Sequence, residues 1–396
     1  MFGKHITLFT IFGFKIRIDL SWMILAILIT WSLAQGAFPY YYKGFSTTTY
    51  WWMGVIGAVG LFASIIFHEL WHSLIARNFG ISIKEITLFI FGGVASMEEE
   101  PPSAKAEFFM AIAGPIASLL LGVVLYGMSI IGALGNWSQP VLGVMSYLSS
   151  MNFLLALFNL VPAFPLDGGR VLRAALWSRK HNLRWATRIA SQIGSGFGIA
   201  LIIVGIFFII SGGFINGMWL ALIGMFLQNA SKMSYQRLLI QQTFEGEPVR
   251  RFMQLNPVTV APSTTIDRLV EEYIYKYHFK MFPVTENHTP LSCISTREVK
   301  DIPREEWGQH TVGEVAKPCS PENTVTADTD AMKVLSIINR TRSSRLMVVD
   351  ETGQLVGIIA LKDLLQFLSL KLDLEDEALE SRRGDMRGQM SAERSA

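Results

Sequence analysis

The residues whose types and spacing could do chemistry here are His68, Glu69 and His72, in the run SIIFHELWHSLIARNFG. Positions four apart on a helix share a face, so two imidazoles at this spacing can reach one metal ion. A carboxylate directly after the first histidine stands beside such an ion, where it can take a proton from an activated water. With 7 histidines in 396 residues, a chance match to the pattern is rare. A second reading is a polar helix–helix contact that holds no metal. The run from Tyr50 to Phe67, YWWMGVIGAVGLFASIIF, leads into the motif without one charge. Ionisable groups in such a helix are expensive and usually functional, so the motif predicts a metal site inside the membrane.

A mononuclear catalytic zinc takes three protein ligands and keeps a position for water. The outstanding third candidate is Asp167, in NLVPAFPLDGGR. Pro162 and Pro165 interrupt the helix before it, and Gly168-Gly169 let the backbone turn sharply. The same residues also read as an ordinary helix terminus, with Asp167 paired to Arg170 or Arg173 at the surface. The local pattern does not choose between them.

The elements that must carry these residues are apolar. The chain is 51% hydrophobic and 17% charged, against about 25% charged in ordinary soluble domains. A net charge of +2 gives no basic field for nucleic acid, so no direct nucleic-acid partner is expected. Cys293 and Cys319 are the only cysteines and read as free thiols. No removable signal peptide is expected, and the first apolar helix serves as the targeting signal.

Residues 1–18 predict one or two interfacial strands. Six apolar segments follow, at 20–38, 51–76, 107–134, 141–164, 189–211 and 214–231, each near the roughly 20 residues that cross a bilayer. Basic residues gather before the first segment, between the second and third, between the fourth and fifth, and after the sixth; the alternate loops hold only Lys43. The positive-inside rule then puts both termini in the cytoplasm and the HELWH motif nearer that face. Residues 83–97 alternate like a strand and break at Gly92-Gly93, which predicts a re-entrant hairpin; a hairpin at the headgroups is the alternative. Glu98, Glu99 and Glu100 read as a solvated turn. AIAGPIAS (111–118) and the Gly194/Gly198 pair read as helix packing rather than chemistry.

HELWH in the second apolar helix, then FGGV and AGP, then N-x-x-P-x-x-P-L-D-G-G, resemble the site-2 protease family of intramembrane metalloproteases over residues 1–235. The resemblance implies one Zn2+ per chain, held by His68, His72 and Asp167, with Glu69 as the catalytic base. It implies that Asn159 positions substrate or stabilises the oxyanion. Phe91, Gly92, Gly93 and Val94 match the family's embedded strand, which pairs with unwound substrate. The implied substrates are transmembrane proteins, such as a membrane-tethered transcription factor or an anti-sigma factor.

The C-terminal part carries an internal repeat. FKMFPVTENHTPLSCISTREVKDI (279–302) aligns without gaps on SRLMVVDETGQLVGIIALKDLLQF (344–367), at a constant offset of 65. The repeat resembles a tandem pair of CBS domains, a module that folds as an intramolecular dimer and often binds adenine nucleotides. That implies ATP or AMP near Gly357 and Asp363 in GIIALKD, where Ala360 replaces the usual hydroxyl residue. The equivalent Ser295 and Glu298 in SCISTRE lack the usual glycine and aspartate. A module used for homodimerisation or docking without ligand fits as well.

The expected fold is therefore a polytopic α-helical membrane protein, with six transmembrane helices and a re-entrant β-hairpin, followed by a cytoplasmic α/β tandem CBS domain. The expected boundaries are 1–235 for the metalloprotease, 236–248 for a linker, 249–310 and 312–372 for the repeats, and 373–396 for a disordered tail. The leading function is a zinc-dependent intramembrane endopeptidase of the plasma membrane, modulated through the CBS pair. The alternative from another class is a CBS-regulated divalent-cation transporter or channel with His68, His72 and Asp167 as transit site. Glu69 discriminates, since only a peptidase needs a base at that spacing. An inactive membrane scaffold is disfavoured because the whole catalytic set is present.

Overall fold

A computed structural model describes residues 5–81, 83–89, 92–97, 100–286, 289–341, 343–371 and 374. The chain divides into two units, Met1–Arg237 and Leu238–Ala396.

The first unit opens with a hairpin, β1 (His5–Ile11) and β2 (Phe14–Asp19). Its two-residue turn, Phe12-Gly13, has positive φ at both positions, as tight hairpins with right-twisted strands require. Helix α1 (Leu20–Ser32) runs through a π-helical turn at Leu33–Ala37 into α2 (Phe38–Tyr41). Helix α3 (Thr47–Asn78) starts where the Ser46 hydroxyl accepts the Thr49 amide, which satisfies one of its unpaired donors. Strands β3 (Ile83–Phe89) and β4 (Gly92–Met97) complete a sheet of order β1-β2-β3-β4, in which β2 and β3 are parallel. Phe14, Ile16 and Ile86 of this sheet pack against Leu70 of α3. The remaining helices are α4 (Ala104–Leu134), α5 (Gln139–Asn159), α6 (Asp167–Lys180), α7 (Leu183–Ile210) and α8 (Phe214–Phe244), the last of which runs past the unit boundary at Arg237.

Among the described residues, five helices are long and apolar enough to cross a membrane: Trp22–Tyr41, Thr47–Asn78, Ala104–Leu134, Gln139–Asn159 and Leu183–Ile210. Their outer faces are apolar too. Ile131, Leu157, Ile203 and Phe207 are all more than 60% exposed, a surface that water disfavours and lipid tails accept. The sixth expected segment lies in α8, which is not among the five. Asn216, Gln228 and Asn229 dilute its hydropathy, and the helix runs on to Phe244, so 236–244 of the expected linker are helical. Two further boundaries differ from expectation. The fourth helix stops at Asn159 rather than 164, because Pro162 and Pro165 withhold the amides that would continue it. The fifth starts at Leu183, where the Asn182 side chain accepts the Trp185 amide at 2.8 Å. Helices α7 and α8 pack backbone to backbone: a Cβ on Gly198 would lie 2.6 Å from the Gly224 carbonyl oxygen, so neither position admits a side chain.

The second unit has two sheets, of order β5-β11-β10-β9 and β6-β7-β8. The strands are β5 (Gln254–Leu255), β6 (Met281–Glu286), β7 (Thr289–Ser295), β8 (Lys317–Pro318), β9 (Thr324–Thr326), β10 (Arg345–Val349) and β11 (Leu355–Ala360). The repeat is visible in the pairing. Val260 bridges Val284 in parallel in the first copy, and Thr326 pairs with Val349 in parallel in the second. Each copy lends a lead strand to the other: β5, ahead of the first, pairs with β11 of the second, and β8, ahead of the second, pairs with β7 of the first. Met281 and Cys293 from one copy and Met347 and Ile358 from the other form a shared apolar cluster. The expected tail, 373–396, lies outside the described residues apart from Leu374.

Candidate metal centre

Helix α3 buries Ser64, His68 and His72 along one face, as their spacing of four requires. Asp167, the first residue of α6, meets both histidines. Its Oδ2 is 3.0 Å from His68 Nε2 and 3.1 Å from His72 Nε2, and the two Nε2 atoms are 3.1 Å apart. Three ligand atoms of the right kind thus converge within 4.8 Å of one another, in a buried setting. Arg173, one expected surface partner of Asp167, bonds Glu107 and Glu100.

Helix α4 fixes the imidazoles from behind. His72 Nδ1 donates to the Met110 carbonyl at 2.6 Å. A carbonyl only accepts, so Nδ1 carries a proton, and Nε2 is the atom turned toward Asp167 and left to serve as a metal ligand. His68 Nδ1 lies 2.9 Å from the Ser118 hydroxyl, which orients that ring in the same sense. Between them Gly114 leaves space. A Cβ there would lie 2.6 Å from His68 Nε2 and closer still to His72 Nε2. The AIAGPIAS segment is therefore part of the site and not helix packing alone. The pattern of small residues could not show this, because a helix and a pair of histidines ask for the same small neighbours.

The chain is led to Asp167 by a turn over residues 160–166, which includes a cis Phe164-Pro165 bond. Gly168 and Gly169 sit under that turn, where a Cβ would collide with the backbone of Leu160 and Val161, and of Ala163 and Phe164, respectively. Ser231 of α8 donates to the Phe164 carbonyl, so the turn is held from two sides. Glu100, expected in a solvated turn, is half-buried and bonds Arg173 at 3.1 Å; Glu98 and Glu99 lie outside the described residues.

Glu69, half-buried, is adjacent to His68 on α3 and lies in the field of His68, His72 and Asp167. Asn159 is the last residue of α5, half-buried, and among the described residues no hydrogen bond joins it to the triad. Two turns earlier the buried Asn152 donates to the Ser64 hydroxyl at 2.9 Å and to the Leu148 carbonyl at 2.8 Å. Phe91 lies outside the described residues. Gly92, Gly93 and Val94 belong to β4, the last strand of its sheet, which among the described residues pairs with β3 alone.

The nucleotide candidates of the second unit cap helices. Glu298 accepts the Ser295 amide at 2.9 Å and pairs with Lys317 at 2.8 Å. Asp363, at the equivalent position, accepts the Ala360 amide at 3.0 Å and the Gln254 side chain at 2.8 Å. Gly357 lies in β11 opposite Leu255 of β5. A cavity of about 100 Å³ is lined by residues 254–258 with Phe279, Met281, Arg345 and Ile358; none of the four candidates lines it, and Gln254 links it to Asp363. Cys293 and Cys319 are free, and burial pushes the Cys293 thiol up to about 11.

Buried histidines and a carboxylate converging among apolar helices form a candidate metal centre. The model of Peptidase family M50 matches residues 56–134 and 132–205, and the CBS-domain model matches residues 249–304 and 312–370. Rip3 of Mycobacterium tuberculosis, named as a zinc metalloprotease, is 32% identical over 90% of this chain and 91% of its own length. Zinc metalloprotease MJ0392 of Methanocaldococcus jannaschii is 32% identical over 80% of this chain and 86% of its own. The solved site-2 protease of M. jannaschii is 29% identical, covering 58% of this chain and 94% of that one, with a TM-score of 0.41. The chain belongs to Peptidase family M50, the site-2 proteases, and is a zinc metalloprotease with a tandem CBS pair. That family membership does not favour the cation-transit reading of the same three residues.

Proposed function

We infer that the enzyme hydrolyses peptide bonds within or near transmembrane helices of other membrane proteins. The observation that carries this is the position of the site: its two histidines are buried on a 32-residue apolar helix, and Asp167 of α6 reaches them there. His68, His72 and Asp167 would hold the zinc, whose converging donors and Gly114 cradle suit it. When bound, zinc supplies Lewis-acid polarisation of the scissile carbonyl and acidifies a water. Glu69 takes the proton of the attacking water and delivers it to the leaving nitrogen. Asn159, at the end of α5, orients the substrate carbonyl. A transmembrane substrate has its carbonyls tied into helical bonds and must unwind first. The outer edge of β4, a re-entrant strand in this reading, then offers replacement backbone bonds.

Loop charges favour a six-span plasma-membrane topology, with both termini and the CBS pair in the cytoplasm. Substrates of this kind include membrane-tethered transcription factors and anti-sigma factors. The cavity beside Asp363 would take ATP or AMP as a regulator, and the CBS pair would join two copies. Glu69→Gln should retain zinc and lose about 10²- to 10⁴-fold in cleavage of a transmembrane reporter, the usual share of a general base. His68→Ala and Asp167→Ala should lose zinc as well. Cleavage at the parental rate by Glu69→Gln would sink the mechanism.

A further inference from the structure

Arg173 of α6 is 3% exposed, and its partner Glu107, in the first turn of α4, is wholly buried. Arg173 Nε donates to Glu107 Oε1 at 2.6 Å, and Nη2 bonds both that oxygen and Glu100 Oε2. The guanidinium lies 5.1 Å from the ring centre of Phe164, inside the turn that delivers Asp167. Arg170 Nε, one turn nearer Asp167, is 3.9 Å from the same Glu107 oxygen.

Burying a charge pair gives little net stability compared with apolar side chains of similar volume, so stability alone is a poor reason for this one. Its place on α4 suggests another. Glu107, Met110, Gly114 and Ser118 follow at spacings of three and four, and form one stripe of the helix. Met110 and Ser118 hold the two histidines, and Gly114 gives them room. Glu107 closes the same stripe by gripping the helix that carries Asp167. One face of α4 therefore references the histidines of α3 and the carboxylate of α6 to a common frame.

We propose that Arg173, clamped by Glu107, is a positioning residue for Asp167, fixing α6 on α4 so that the carboxylate reaches both imidazoles. The proposal rests on reading the triad as the metal centre. Arginine suits the task because its planar fork makes two directed bonds, which lysine cannot reproduce.

The test uses the full chain in detergent, loaded with Zn2+ or with Co2+ as a visible probe of ligand geometry. Two variants are compared with the parent: Arg173→Lys, and the double variant Glu107→Leu/Arg173→Met, which removes both charges of the buried pair together and takes a partner only from the more exposed Glu100 and Arg170. Both should bind zinc about 10- to 100-fold more weakly in chelator competition, the range for groups that orient a metal ligand. The cobalt spectrum should shift, and kcat should fall while KM stays within about twofold. A folded double variant with parental zinc affinity and cobalt spectrum overturns the proposal and leaves the pair as a simple staple. If the double variant does not fold, parental affinity and spectrum in Arg173→Lys overturn it equally. A parent that binds no zinc fails differently, since that outcome removes the metal centre itself.

Discussion

Gly114 matters through the side chain it lacks. A methyl group at that position would occupy the space into which both Nε2 atoms point. Because two imidazoles held from behind by Met110 and Ser118 cannot retreat, Gly114→Ala should abolish tight zinc binding while leaving helix content unchanged, as read by metal analysis beside circular dichroism. Ser118→Ala tests the same shell more gently. It removes the partner of His68 Nδ1 and should weaken zinc about 10- to 100-fold in chelator competition. His72 offers no equivalent variant, since its partner is a backbone carbonyl.

At the scale of elements, the decisive piece is the turn between α5 and α6. Backbone presses on Gly168 and Gly169 from above, so neither can gain a Cβ without moving α6 and Asp167 with it. Gly169→Ala should therefore lower zinc affinity and also destabilise the fold by about 1–3 kcal/mol, the usual scale of overpacking. Intact zinc binding in a destabilised Gly169→Ala protein would separate the turn from the metal site and contradict this account. Hydropathy showed that helices would cover these regions. It could not place their ends, because proline and capping residues act on single amides that averaged hydropathy hides.

At the scale of the whole molecule, two units carry two candidate ligand sites, and each, if occupied, should answer to its own ligand. A ligand that binds only the folded state raises stability by RT ln(1 + [L]/Kd). Zinc removal by a chelator should lower the unfolding transition of the first unit and leave that of the second. ATP or AMP should raise the second alone, and Asp363→Ala should erase that rise. No shift at millimolar nucleotide would end the nucleotide reading. The Asp363 and Glu298 carboxylates already cap helices, so their presence in a CBS-like motif is no proof of a ligand.

What the sequence determined by itself is whatever rests on a local period. The i, i+4 spacing of His68 and His72 puts both on one face in any helix, and the long apolar runs demand lipid or a core. The repeat offset of 65 announces two like folds. Asp167 was legible as a candidate only, because nothing in NLVPAFPLDGGR says which helix lies opposite. Tertiary structure alone decided that Asp167 meets the histidines, that Gly114 and Ser118 touch the histidines as well as packing the helices, and that Arg173 turns to Glu107. The reason is physical: these contacts join helices 38 to 99 residues apart in sequence. Their geometry depends on how side chains fill shared space, and a glycine or serine carries the same local signal whichever neighbour it faces.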